Sequence, residues 1–508
     1  MRLVLLSKNN YSGIESEGRL IMYRIIPIPA GEPVSELYSV RINGEAADCS
    51  FCRVSAMPFD VVWPGHQRPL DQTEEAAFLS VVSDEPVAVE VRRSDSAGAI
   101  RPDSDVTVRP LRHGIRAEIQ GDTARFVLPG PGQYSVEADG MHHALTVFVD
   151  PPCDFGPKEG PGVTYYGPGV HDVGEIRLRT GETVYIDEGA VVYGGIIAED
   201  AANIRVVGYG ILDNSLSVRV ENAAYVEPMK YPLGCMKLYR CVNAEIRGVV
   251  LRDSGVWTAT MFHCDNVIFD RCKAIGMWRY NSDGFDFVNS SNCAVLNSYL
   301  RNYDDVIVLK GLKGWDTRNV ENILVKNCVT WCDWGRNLEI GAETCADEYR
   351  NILFEDCDCI HGAHILLDIQ NGDRAYVHDL TFDNIRCEYS KYQTEPVYQA
   401  SEDMVYAPDT SKPYLPVLMK AHLYRGVWSK DMLYGRNRSI TFRNIQILAD
   451  EGLDMPPSEF SGADETHRTS DIRIENLTFN GRPVLTAEDA NIRLGGFAER
   501  IDVVPGDE

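Results

Sequence analysis

The sequence predicts an all-β protein: a right-handed parallel β-helix preceded by an N-terminal β-sandwich. Three observations carry that prediction. From about residue 175 a short unit recurs, a polar residue (usually Asn) followed by alternating apolar residues. Over the middle of the chain it returns every 23 to 30 residues. Before it, residues 1–150 hold short alternating strands and turn residues without that period.

The N-terminal part comes first. Val87-Ala88-Val89-Glu90-Val91, Ala124-Arg125-Phe126-Val127-Leu128 and His143-Ala144-Leu145-Thr146-Val147-Phe148-Val149 read as strands. Pro129-Gly130-Pro131-Gly132 punctuates them. Period-two strands between turns suit a sandwich, in which each strand turns one face to the core. Residues 151–174 read as a linker because they open on Pro151-Pro152-Cys153-Asp154-Phe155-Gly156-Pro157.

Residues 175–508 read as the β-helix. The unit appears at Asn203, Asn243, Asn266, Asn292, Asn322 and Asn351, then with Asp379, Ser439 and Asp471 in the polar position. Such a repeat cannot bury its apolar face alone, so successive coils stack. Asn tolerates the left-handed turn conformation, and its amide can bond the amide one coil away. Cys272, Cys328 and Cys357 each fall six residues after their coil's Asn. That reads as a ladder of small buried hydrophobes rather than a metal site, since none of the three belongs to a Cys-x-x-Cys. The period breaks at about 387–437, an insertion rich in tyrosine and holding Trp428. It reads as a lid or wall that stacks on sugar faces, or as a contact with a second copy of the chain.

Composition excludes other classes. A net charge of −26 excludes nucleic acid, whose phosphates need a basic surface. No apolar run approaches the roughly 20 residues of a membrane span. The run Leu3-Val4-Leu5-Leu6 stops at Ser7-Lys8, too short for a secretory signal. With fourteen cysteines, the expected place is the reducing cytoplasm. No cofactor or metal is called for.

The chemistry is carried by Asn281-Ser282-Asp283-Gly284-Phe285-Asp286 and Asn302-Tyr303-Asp304-Asp305. Asp283 and Asp304 stand 21 residues apart, close to one coil, so stacking brings Asp283, Asp304 and Asp305 to one surface. Crowded carboxyls push one another's pKa values up. Reactions that need one protonated and one ionised carboxyl exploit that, glycoside hydrolysis above all.

Together with Ser254-Gly255-Val256-Trp257-Thr258, Cys264-Asp265-Asn266-Val267 and Asp304-Asp305-Val306-Ile307-Val308-Leu309-Lys310, these stretches resemble the polygalacturonases of glycoside hydrolase family 28 over roughly residues 170–385. A sandwich before a β-helix also resembles the dextranase and isopullulanase family 49. The resemblance implies an inverting glycosidase with Asp304 as general acid and Asp283 and Asp305 activating the attacking water. Asp304 would then hold its proton because two carboxylates neighbour it. Asn281 would orient Asp283 or simply form a turn. Lys310 would balance the acids or be a solvated coil residue. Trp334 is the candidate sugar platform.

Where that family carries a Gly-His-Gly stretch, this chain has Gly335-Arg336-Asn337-Leu338-Glu339. Where it carries Arg-Ile-Lys, the chain has about Leu366-Leu367-Asp368. An acid would repel a uronate, so a neutral sugar is expected, with Glu339 and Asp368 accepting bonds from hydroxyls. Arg336 and Glu339 would otherwise brace the wall as an ion pair, and Asp368 would be a turn residue. A dextran-like α-glucan is the candidate substrate. The alternatives are a galacturonide hydrolase, a pectate-type lyase using Ca²⁺, and a non-catalytic carbohydrate-binding β-helix.

Overall fold

The computed structural model describes residues 12–16, 19–61, 68–218, 230–401 and 403–506. It divides into two compact units, Met1–Cys52 with Glu75–Gly156, and Arg53–Glu74 with Pro157–Glu508.

In the first unit eleven strands join one hydrogen-bonded sheet. The sandwich expectation implies two separate sheets. Here they are continuous because Thr73–Ser83 pairs with Leu145–Asp150 on one side and with Glu45–Ser55 on the other. Strands from both ends of the order share one core, Val108 and Val136 with Val89 and Ala124. The sheet therefore folds over on itself as a sandwich does.

The second unit is a right-handed parallel β-helix. One coil consists of Ser291–Leu296, Tyr299–Asn302 and Ile307–Gly311, and each strand pairs in parallel with its counterpart on the next coil. Every polar unit residue read from the sequence takes a left-handed backbone, from Asn203 (φ 57°) to Asp471 (φ 54°). The amide ladder forms: Asn243 donates to Asn203 at 3.1 Å, Asn266 to Asn243 at 2.8 Å and Asn351 to Asn322 at 2.6 Å. Cys272, Cys328 and Cys357 are buried in the helix core.

Three boundaries differ from the sequence reading. The linker is shorter than 151–174, since Val163–Tyr166 and Gly169–Leu178 already pair with the first coil. They carry no Asn unit to announce them. Residues 53–74 leave the first unit, and Phe59–Val61 pairs in parallel with Val397–Gln399 in the second. Finally, the 387–437 insertion is not one excursion. Arg386–Tyr389 and Val417–Leu423 are ordinary coil strands. The excursions are the loops 390–416 and 424–435 on either side of Val417–Leu423.

Candidate active site

The site lies along the face of the helix built by Ala259–Phe262, Phe285–Val288, Ile307–Gly311, Arg336–Thr344, Ile365–Asn371 and Val417–Leu423, and on the turns leading into those strands. Alternation sorts their side chains. Phe285, Phe287, Ile307, Leu309, Leu338, Ile340, Leu367 and Ile369 enter the core. Their neighbours Asp286, Lys310, Glu339 and Asp368 take the opposite face. The turns stack tightly. Gly284 N–H donates to the Asp305 carbonyl at 2.7 Å, and a Cβ on Gly284 would meet the Val306 carbonyl at 2.1 Å. A Cβ on Gly335 would lie 2.5 Å from Asp305 Oδ1. Two glycines thus let three coils bring their acids together.

Lys310 is the centre. Its ammonium lies 3.3 Å from Asp283, 3.5 Å from Asp305, 3.6 Å from Glu343 and 3.9 Å from Asp286, with the Trp257 ring 4.9 Å away. Arg336 supports the other side, 3.6 Å from Asp305, 3.6 Å from Asp368 and 4.0 Å from Glu339. Asp304 is half-buried, and its Oδ1 accepts the Asp305 N–H at 3.1 Å. So Asp283, Asp304, Asp305, Lys310, Arg336, Glu339 and Asp368 come together, and Arg336 and Glu339 do form the bracing contact.

Two predicted residues differ. Asn281 is a left-handed turn residue at φ 55°. It does not satisfy Asp283 Oδ1, which has no hydrogen-bond partner among the described residues. Trp334 is only 5% exposed, packed edge-on against Tyr398 at 5.0 Å and His364 at 4.8 Å and stacked on Tyr303 at 6.3 Å. Its ring is therefore covered and offers no open platform.

The electrostatics separate the acids. Burial, joined by the charges of Asp286, Asp304 and Asp305, raises Asp283 well above the ordinary carboxyl value despite Lys310. Burial pushes Asp286 to about 7 against Lys310 and Lys237, and Asp368 to about 7 against Arg336 and Lys420. Burial and Asp305 raise Glu339 well above its usual value. At Asp305 burial is outweighed by Lys310 and Arg336, which hold the carboxyl below its ordinary range. A neighbour effect of the expected kind thus acts at Asp283. Burial and nearby cations hold His364 and His422 to about 3, so both rings are neutral.

Sequence reasoning passed over several members. Asp286 was in the motif, and alternation from Phe285 would have placed it on the acidic face. Lys237, pushed down to about 8 by burial, follows from the same alternation in Met236–Tyr239. Glu343 follows a shift in strand register after Leu309, which no local pattern announces. Cys345, Asp373 and Asp431 each bring a ligand atom within 4.8 Å of the others. Asp373 already accepts N–H bonds from Thr344 (3.0 Å), Lys430 (2.6 Å) and Asp431 (2.7 Å). That group ties the 424–435 loop down without needing an ion.

Residues 176–402 match the model of Glycosyl hydrolases family 28. The fold is similar to Dex49A from Penicillium minioluteum, with TM-score 0.54 and 14% identity over 92% of this chain and 96% of that one. A family 28 exopolygalacturonase of Yersinia enterocolitica aligns with TM-score 0.48 and 13% identity over 84% and 96%. An exopolygalacturonase from Thermotoga maritima aligns with TM-score 0.45 and 16% identity over 68% and 83%. No curated protein matches the chain.

Proposed function

We propose that this chain, a glycoside hydrolase whose residues 176–402 form a polygalacturonase-like family 28 domain, cleaves a neutral oligo- or polysaccharide with inversion at the anomeric carbon. Asp304 gives its proton to the leaving glycosidic oxygen as the bond to the anomeric carbon breaks. Water attacks from the opposite face and loses its proton to Asp305, the acid that Lys310 and Arg336 hold ionised. Asp283, whose carboxyl burial pushes well above its ordinary value, orients that water beside Asp305. Inversion of this kind leaves room for the water between carboxyls about 6.5–9.5 Å apart.

The observation that carries the neutral substrate is the state of the cations. Lys310 and Arg336 are engaged as described, Lys420 lies 3.0 Å from Glu459, and Lys430 lies 3.9 Å from Glu343. A carboxylate-bearing sugar would have to take one of these cations from its acid partner, which is costly where that partner is buried, as Asp283, Asp305 and Asp368 are. Glu339 and Asp368 lie fully buried beside Arg336, so they add negative charge to the site rather than open acceptors for hydroxyls. A dextran-like α-glucan heads the candidates on the family 49 resemblance. The fourteen free thiols accord with a reducing compartment such as the cytoplasm.

The test is a panel of neutral trisaccharides and their uronic counterparts, with product anomers followed by proton NMR. A neutral trisaccharide cleaved to the opposite anomer supports the proposal. Activity confined to uronides, a retained anomer, or an unsaturated product absorbing in the near ultraviolet would overturn it.

A further inference from the structure

We propose that Tyr398 is the aromatic platform on which a sugar ring stacks beside the catalytic acids, held there by the 53–61 arm. The inference rests on the reading of this site as one that takes a neutral ring.

Tyr398 is 66% exposed, while Gln399 beside it is 9% exposed and Val397 is half-buried. That alternation belongs to a strand, and Val397–Gln399 is a strand because Phe59–Val61 pairs with it. The arm is itself anchored. Phe59 is 2% exposed, Tyr303 Oη donates to its carbonyl at 2.9 Å, and Arg68 is buried over the Tyr303 ring at 4.4 Å.

The ring is also placed relative to the chemistry. It meets Trp334 edge-on at 5.0 Å and lies over neutral His364 at 6.1 Å with 29° between the planes. Trp334 leads into Gly335, which rests against Asp305. A tyrosine present only for packing would bury its ring, as Tyr303 does at 1% exposed. Tyr398 keeps a ring open to solvent, fixed from its edge, next to the acids. An aromatic face that is already immobile loses little entropy when the C–H face of a sugar settles on it. Neutral His364 adds no charge to this wall, which suits an uncharged ring. The loop 390–416 thus contributes a binding face, the role expected of Trp334.

The experiment measures kcat and KM of the full chain on the neutral trisaccharide cleaved fastest in the panel, isomaltotriose first. Tyr398→Ala should raise KM about tenfold with kcat changed less, the loss of one stacking contact. Tyr398→Phe keeps the face and should stay within about twofold of wild type. Thermal unfolding of both variants separates binding from folding. An unchanged KM in Tyr398→Ala overturns the platform while leaving the hydrolase reading intact. A KM rise of equal size in Tyr398→Phe also overturns it, since the hydroxyl would then be the contact. If wild type cleaves no neutral trisaccharide, the platform falls together with the neutral-substrate reading.

Discussion

Replacing Lys310 with Met tests the electrostatic core of the site. Methionine fills most of the same volume, so the change removes a charge rather than opening a cavity. Four carboxylates lie 3.3 to 3.9 Å from the ammonium. At an effective dielectric near 20, each full charge at about 3.5 Å is attracted by roughly 5 kcal/mol. Those terms do not add, because burial pushes the carboxyls of Asp283 and Asp286 toward their neutral forms and burial of the ammonium opposes them. Breaking a buried pair costs about 3–5 kcal/mol, and that is the expected loss at pH 8 by urea denaturation. At pH 4 the orphaned acids take up protons, so the loss should shrink. Asp305 also loses the stronger of the two cations that keep it ionised, so the acid limb of kcat/KM should move to higher pH. At pH 7 the rate should fall about a hundredfold. A stability loss of equal size at pH 4 and pH 8 would show that Lys310 acts by packing. An unmoved acid limb would remove Asp305 from the role of base.

Two further predictions bear on the acids. Asp304→Asn should lower kcat by about 10²–10⁴-fold with little change in thermal unfolding, because the amide oxygen can still accept the Asp305 N–H; a loss below tenfold would disqualify it as the general acid. Burial pushes the folded Asp368 from an ordinary 3.8 to about 7, so the folded state binds its proton more tightly than the unfolded one between those values. Its effect is therefore to lower stability as pH rises from about 4 to 7. Asp368→Asn should leave urea stability unchanged at pH 4 and gain up to about 4 kcal/mol at pH 8; an equal gain at both pH values would refute the burial argument.

What the sequence made legible depended on period. Asn at φ 51–58° from Asn203 to Asn351 is a local requirement of each coil, so it repeats and can be read. Asp283 and Asp305 could be brought together because their separation is close to one coil. Lys310 was legible for the same reason, six residues past Asp304 on an alternating strand. Val417–Leu423 was hidden because it carries none of the Asn units that mark the repeat, and two loops isolate it. The Phe59–Val61 pairing with Val397–Gln399 joins segments more than 300 residues apart without any repeat to signal it. Trp334 was misjudged because an aromatic near a cleft says nothing about what covers it. Tyr398, which covers it, arrives on a loop whose path depends on that distant pairing.

The acids themselves were easier to find than their protonation. Sequence spacing places three carboxyls together, and like charges then require that some stay neutral. Which one stays neutral depends on where the cations stand, and that is set by strand register. Lys310 and Arg336 both reach Asp305, whereas Asp283 pairs with Lys310, has Lys237 further off and feels the charge of Asp286. A one-residue slip in Ile307–Gly311 would turn Lys310 into the core and take the stronger of the two cations from Asp305. Gly284 and Gly335 protect that register, since any side chain at either position would push apart the turns that carry Asp283, Asp305 and Arg336. Ionisation of the base is therefore a property of how three coils stack rather than of the aspartate alone.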